Sequence, residues 1–221
     1  MTGMTRTAIR LAAAGTVLAT VLAGGTALAE TGRAGGKIPR DFLLHEPEAR
    51  RPVRYPDAEE WKISNRPTKN LGFNPCDLSR PVDGGRVATR TVDYHAPEFH
   101  RGEQLVIYRS TGAARGAMAG LLAQVDRCKR VKSGSVVFKA SARPVVGIGD
   151  QAARMSVQGY DRSGRPVVGG RRAVVVREGR ALAIYIHGGE YHSEVSDAQF
   201  TEQLRDARKM AAKVCSLPGV C

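Results

Sequence analysis

The chain has 221 residues, with 34 Lys and Arg against 21 Asp and Glu and a formal net charge of +13. That length suits one domain with tails and allows a sizeable buried core. No stretch after the first thirty residues approaches the ~18 uninterrupted apolar residues that a membrane helix needs. Arginine is spread along the chain with doublets only at 50–51 and 171–172. No continuous basic block with interleaved aromatics marks a nucleic-acid interface, so no nucleic-acid partner is expected.

Residues 1–29 read as a signal peptide. Arg6 and Arg10 form a positive start, Leu11–Leu22 is uncharged and apolar, and Ala27-Leu28-Ala29 supplies the small-x-small pattern of a cleavage site. The apolar run is short for a span of about 30 Å, so no stable membrane insertion is expected once the peptide is removed. Cleavage after Ala29 leaves 32 basic and 21 acidic residues, a net of +11. A secreted chain with this charge is expected to meet an anionic envelope component or another extracellular ligand.

Cys76, Cys128, Cys215 and Cys221 are the four cysteines. In an exported chain they are expected in disulfides, with three pairings open to sequence alone. Cys76–Cys128 with Cys215–Cys221 is the favoured pairing, since Pro218-Gly219 lets a short loop turn back beyond the last helix. No CxxC pair points to zinc.

Residues 30–57 have Pro and Gly breaks, mixed charge and no surviving period, and read as a flexible linker. The folded secreted domain is placed at 58–221. AEEWKIS (58–64) resembles a short helix. RVATRTVDY (86–94) and GEQLVIYRS (102–110) alternate as strands, with the loop HAPEFHRG between them. Thr111 caps a helix from Ala113 to Cys128 whose Ala114, Met118, Leu121, Leu122, Val125 and Cys128 share one side. SVVFKASA (135–142) is a strand, and Gly147-Ile148-Gly149-Asp150 is a structural turn rather than a phosphate cradle, because a strand follows it. RAVVVRE and ALAIYIH form a hairpin around Glu178-Gly179-Arg180. A last helix covers about 197–215, with Ser196 and Gln199 as a capping box. The order β-β-α-β-β-β-β-α points to an α+β fold, an antiparallel sheet with two long helices packed on one face and disulfide bonds.

Motifs for catalysis or cofactors are absent. There is no GxSxG, HExxH, P-loop or GxGxxG. His187, Glu190 and His192 group two imidazoles and a carboxylate at a strand end, and Gly188-Gly189 would permit a fold-back around a metal. His95, Glu98, His100 and Glu103 form a second polar cluster around Pro97. Neither supplies a complete ligand set, so no catalytic residue, metal or cofactor is assigned.

Several segments in this order resemble a family: Asn74-Pro75-Cys76, the helix end LLAQVDRC, GIGDQAA, the hairpin RRAVVVREGRALAIYIH and the closing DARKMAAKVC. Together, across about 76–215, they are similar to the extracellular sensor-like domains of actinobacteria, of the kind attached to PknH-type receptor kinases. The resemblance implies an antiparallel sheet with helices, disulfides and an extracellular ligand held in a cleft. The chain departs from the kinase-attached members in having neither kinase nor transmembrane helix, and no residue role or signalling role is carried over. The expectation is a secreted, non-enzymatic ligand-binding or envelope-associated, sensor-like domain. The alternatives are a metal-dependent hydrolase at 187–192, or a secreted inhibitor or interaction protein using the loop 161–171.

Overall fold

The computed structural model describes residues 37–67, 70–76, 83–191 and 193–221. The signal-peptide reading of residues 1–29 and the ligand role of His192 fall outside the described residues. Eight strands form one antiparallel sheet in the order β1-β2-β3-β8-β7-β6-β5-β4. They are β1 Glu60–Ser64, β2 Arg86–Ala96, β3 Phe99–Tyr108, β4 Arg130–Ser133, β5 Val136–Val145, β6 Gln151–Tyr160, β7 Pro166–Glu178 and β8 Ala181–Gly189. Among the described residues three helices accompany them: α1 Glu46–Ala49, α2 Thr111–Arg127 and α3 Thr201–Val214. The topology is two meanders, β1–β3 and β4–β8, linked by α2 and closed where β8 pairs with β3.

The central strands are buried on both sides. In β8, Ala181, Ala183 and Tyr185 join one core cluster, while Leu182, Ile184 and Ile186 join the other. Successive strand residues point to opposite faces, so these are two separate cores. On the first face lie α3, residues 38–44 and the C-terminal residues Leu217 and Val220. On the second lie α2, Leu71 and Phe73. The expectation of both helices on one face is therefore corrected. The sheet dominates, and β3, β7 and β8 have apolar residues at both parities because a layer covers each side.

Other expectations change locally. The segment 58–64 is not a helix but supplies edge strand β1, paired with β2 from Glu60↔His95 to Ser64↔Thr91. The expected loop 95–102 is mostly strand, since β2 and β3 remain paired out to Ala96↔Phe99 and turn at Pro97-Glu98. The α2 cap is Ser110, whose Oγ accepts from the Ala113 amide at 3.1 Å; such a cap stabilises by about 1 kcal/mol. Before α3 comes a 3₁₀ turn over Asp197–Phe200, with the Gln199 side chain accepting from the Ser196 amide at 3.1 Å. The same Gln199 oxygen accepts from Nε of the fully buried Arg172, tying that turn to β7.

The largest correction concerns the expected linker. From Lys37 onward residues 37–57 are packed, with Ile38, Phe42 and Leu43 in the first-face core and Glu46 wholly buried. Both disulfides adopt the favoured pairing, Cys76–Cys128 and Cys215–Cys221. Gly147 and Gly149 adopt positive φ around buried Ile148, and Asp150 accepts from Arg177 and from the Gly179 amide, as a structural turn requires.

Candidate functional site

The segment 37–57 lies along β1 and β2 on the first face, and a small set of buried polar groups fixes it there. Glu46 carries the largest share. Its two oxygens accept from Arg90 Nε at 2.6 Å and Nη2 at 2.5 Å, and from the amides of Asp41 and Leu43. A two-point guanidinium–carboxylate pair of this kind is the strong form of ion pair. Burial pushes the Glu46 carboxyl upward, but the Arg90 hydrogen bonds and the two amides overcome it and hold it at about 2.

A second carboxylate grips the segment from below. Glu103, on β3, accepts from the Leu44 amide at 3.0 Å, the His45 amide at 2.8 Å and the Tyr185 hydroxyl at 2.7 Å. Burial raises its pKa in spite of those three donors. Towards α3, His45 Nε2 lies 3.2 Å from Asp206, and its ring meets Tyr185 edge-on. Burial would raise Asp206, yet the His45 and Arg205 hydrogen bonds hold it at about 2. Lys213 of α3 completes the fastening by donating to the Phe42 carbonyl.

Two cavities open between this segment and the β1–β2 edge. The first, of about 780 Å³, has Ile38, Ile63 and Val87 among its apolar lining and Lys37, Arg40 and Arg90 among its cations. Among the described residues no acid lines it. Arg90 is neutralised by Glu46, but Lys37 and Arg40 are exposed and have no ion-pair partner among the described residues. Ile63 and Val87 keep 39% and 41% of their surface in water, which is apolar surface left open beside free cations. The second cavity, of about 690 Å³, is walled by Trp61, Tyr94 and Phe99 with Glu48, Arg51 and Arg54. Its charges are mixed, and Arg101 already occupies the faces of Trp61 and Tyr94 at 4.9 and 5.6 Å while pairing with Glu48.

The residues singled out from sequence are not brought into one site. His187 is buried, its Nε2 is 3.8 Å from Glu202 and its ring stands edge-on to Phe99. Burial lowers its pKa. Gly188 and Gly189 do not fold back. They continue β8 between β3 and β7, and a Cβ on Gly189 would lie 2.8 Å from the Glu98 carbonyl. Glu190 is left exposed beyond the strand. Among the described residues, the close group of three ligand types is Glu178 with Cys215 and Cys221, and those cysteines are bonded to each other. His95 and His100 face each other across the β2–β3 pair with ring centres 4.7 Å apart, whereas Glu103 belongs to the buried set under His45. Neither His45 nor His187 hydrogen bonds a serine, threonine or cysteine among the described residues. The expected loop 161–171 is a tight β6–β7 turn only over 161–165, closed by Asp161 accepting from Ser163 and Arg165, since residues 166–171 already belong to β7.

Sequence reasoning missed the segment that builds the cavities. The run Phe42-Leu43-Leu44, four residues after Ile38, was the available signal, set among Pro and charged residues that masked it.

No protein-family profile matches the chain. No curated protein matches it either. Among solved structures, the chain is similar to the extracellular domain of PknH from Mycobacterium tuberculosis. The TM-score is 0.48 and the identity 10%, over 79% of this chain and 91% of that one. A likeness of that size carries no ligand and no residue role to this protein.

Proposed function

We propose that this protein is a secreted, non-enzymatic, sensor-like binding domain that takes an anionic amphiphile in the cavity beneath residues 37–40. The observation that carries the reading is the pairing of open apolar surface at Ile63 and Val87 with Lys37 and Arg40, two cations without an ion-pair partner among the described residues. An acyl or alkyl chain would cover the apolar lining, and its anionic head would meet the two cations. The volume falls in the range of small-molecule sites, roughly 300–1,000 Å³. The signal-peptide pattern and the two disulfides support an extracellular place of work.

Calorimetric titration of residues 30–221 with dodecyl phosphate, below its micelle concentration, tests this. Saturable binding is expected, weakened by about tenfold or more in Lys37→Glu/Arg40→Glu, on the scale of one lost charge-assisted hydrogen bond. Dodecanol should bind more weakly by a similar factor. Absence of saturable binding, or equal affinity in the double variant, contradicts the reading.

A further inference from the structure

The opposite edge of the sheet carries a different feature. Between Asp126 and Asp150 the sequence contains six Lys or Arg and no acid. Four of these cations, Arg130, Lys132, Lys139 and Arg143, lie on the β4–β5 hairpin, and all four are exposed. Among the described residues none has an ion-pair partner. Four arginines of the other strands are neutralised, Arg90 by Glu46, Arg86 by Asp83, Arg101 by Glu48 and Arg177 by Asp150, while the buried Arg172 donates to Gln158 and Gln199.

The register places these cations together. Arg130 stands directly opposite Lys139, and Lys132 opposite Val137. Lys139 and Arg143 share a face because they are four residues apart on one strand. Arg143 in turn stands opposite Arg154 of β6, which is the one member with a partner, Asp197 at 2.7 Å. Like charges directly opposite each other destabilise a sheet. The face is the first one, since Lys139 lies over the ring of Tyr160 at 4.0 Å while Ala140 joins the core under α2. There α3 packs over β7 and β8, leaving the hairpin side chains exposed. At about 3.4 Å per residue along a strand, the row from Lys132 to Arg143 extends about 20 Å.

We infer that this face of the β4–β5 hairpin is a docking surface for a linear polyanion bearing repeated phosphate groups. A row of unneutralised cations, paired across two strands, meets successive charges of an extended polymer and is relieved of its own repulsion by doing so. A flat lipid surface fits less well. The exposed apolar residues of the hairpin, Val131 and Phe138, pair with each other on the opposite face, so one membrane plane does not meet both sets. Nucleic acid is disfavoured because the row offers no aromatic platform for bases, the ring of Tyr160 being covered by Lys139. The surface is separate from the cavity at the β1–β2 edge and does not depend on it.

The test uses residues 30–221 and long-chain inorganic polyphosphate, with affinity measured by calorimetry across a salt series. Binding is expected, with log K falling linearly as log salt rises. Arg130→Glu/Lys139→Glu should weaken it by about tenfold or more, while Arg208→Glu/Lys209→Glu on α3, equal in net charge change, should stay within about twofold. Arg130→Glu alone should raise the melting temperature while lowering affinity, since it turns a repulsive pair into an attractive one. Equal loss in both double variants reduces the effect to net charge and overturns the proposal. So does tighter binding to phosphatidylglycerol vesicles or to DNA than to polyphosphate.

Discussion

Glu46 is a side chain with no contact to water and two bonds to Arg90, itself only 6% exposed. Removing the charge leaves a buried guanidinium facing an amide, so Glu46→Gln should lose about 3–5 kcal/mol in urea unfolding. The same group sets an acid limb. Glu46 is held at about 2 against an ordinary 4.5, and Asp206 at about 2 against 3.8. A lowered folded pKa means stability that is complete above the unfolded value and lost as pH falls through the folded one. The urea midpoint should therefore fall between about pH 4.5 and pH 2, and less steeply in Glu46→Gln. Glu103 acts with the opposite sign, because its raised pKa removes stability as pH climbs through it. A flat midpoint over the acid range would refute the roles given to Glu46 and Asp206.

Two glycines make a second contrast at this scale. Gly179 has φ +52°, and a Cβ there would lie 2.1 Å from the Val220 carbonyl, which also accepts from the Arg180 amide. Gly164 has φ +82° with open space around it. Gly164→Ala should cost about 1 kcal/mol, the backbone penalty alone. Gly179→Ala should cost clearly more, because the C-terminal loop must also shift. Equal melting temperatures for the two variants would show that the loop does not press on the hairpin.

At the scale of elements, the two disulfides restrain different lengths of chain. Cys76–Cys128 spans 52 residues and Cys215–Cys221 spans 6. Loop-closure entropy assigns about 4 kcal/mol to the first and about 2 kcal/mol to the second. The Cys76→Ser/Cys128→Ser variant should thus lose more stability by denaturant titration than Cys215→Ser/Cys221→Ser, and the reverse order would contradict that ranking. Much of the element pattern was legible, since alternation marked the strands β2, β3, β7 and β8 and helical spacing marked α2 and α3. The covering of both faces was less so. Leu182, Ile184 and Ile186 drew attention to one side of β8, while Ala181, Ala183 and Tyr185 were equally buried on the other. Strand β4 gave only a weak signal, since all four of its residues are exposed and Val131 is its one apolar side chain. Residues 37–57 were illegible as structure because their order comes from long-range partners. Glu103, Arg90 and Asp206 are distant in sequence, and composition does not register them.

For the whole molecule, the fold distributes its charge unevenly. Arg90 beneath the N-terminal segment and Arg177 in β7 are paired with carboxylates, whereas among the described residues Lys37 and Arg40 at the cavity rim and the four cations of the β4–β5 face have no ion-pair partner. The sequence could report the net charge but not this sorting, which depends on register and burial. The candidate site was correspondingly invisible: the histidines singled out at 187–192 do not form it, and the cavity is built by a stretch that composition reads as linker.

Hydrogen exchange of residues 30–221 with and without dodecyl phosphate would locate the ligand on the fold. Exchange should slow at Lys37–Arg40, Ile63–Asn65 and Val87–Arg90, three stretches that line the cavity. Protection confined to other strands, or none at saturating ligand, would contradict binding in that cavity.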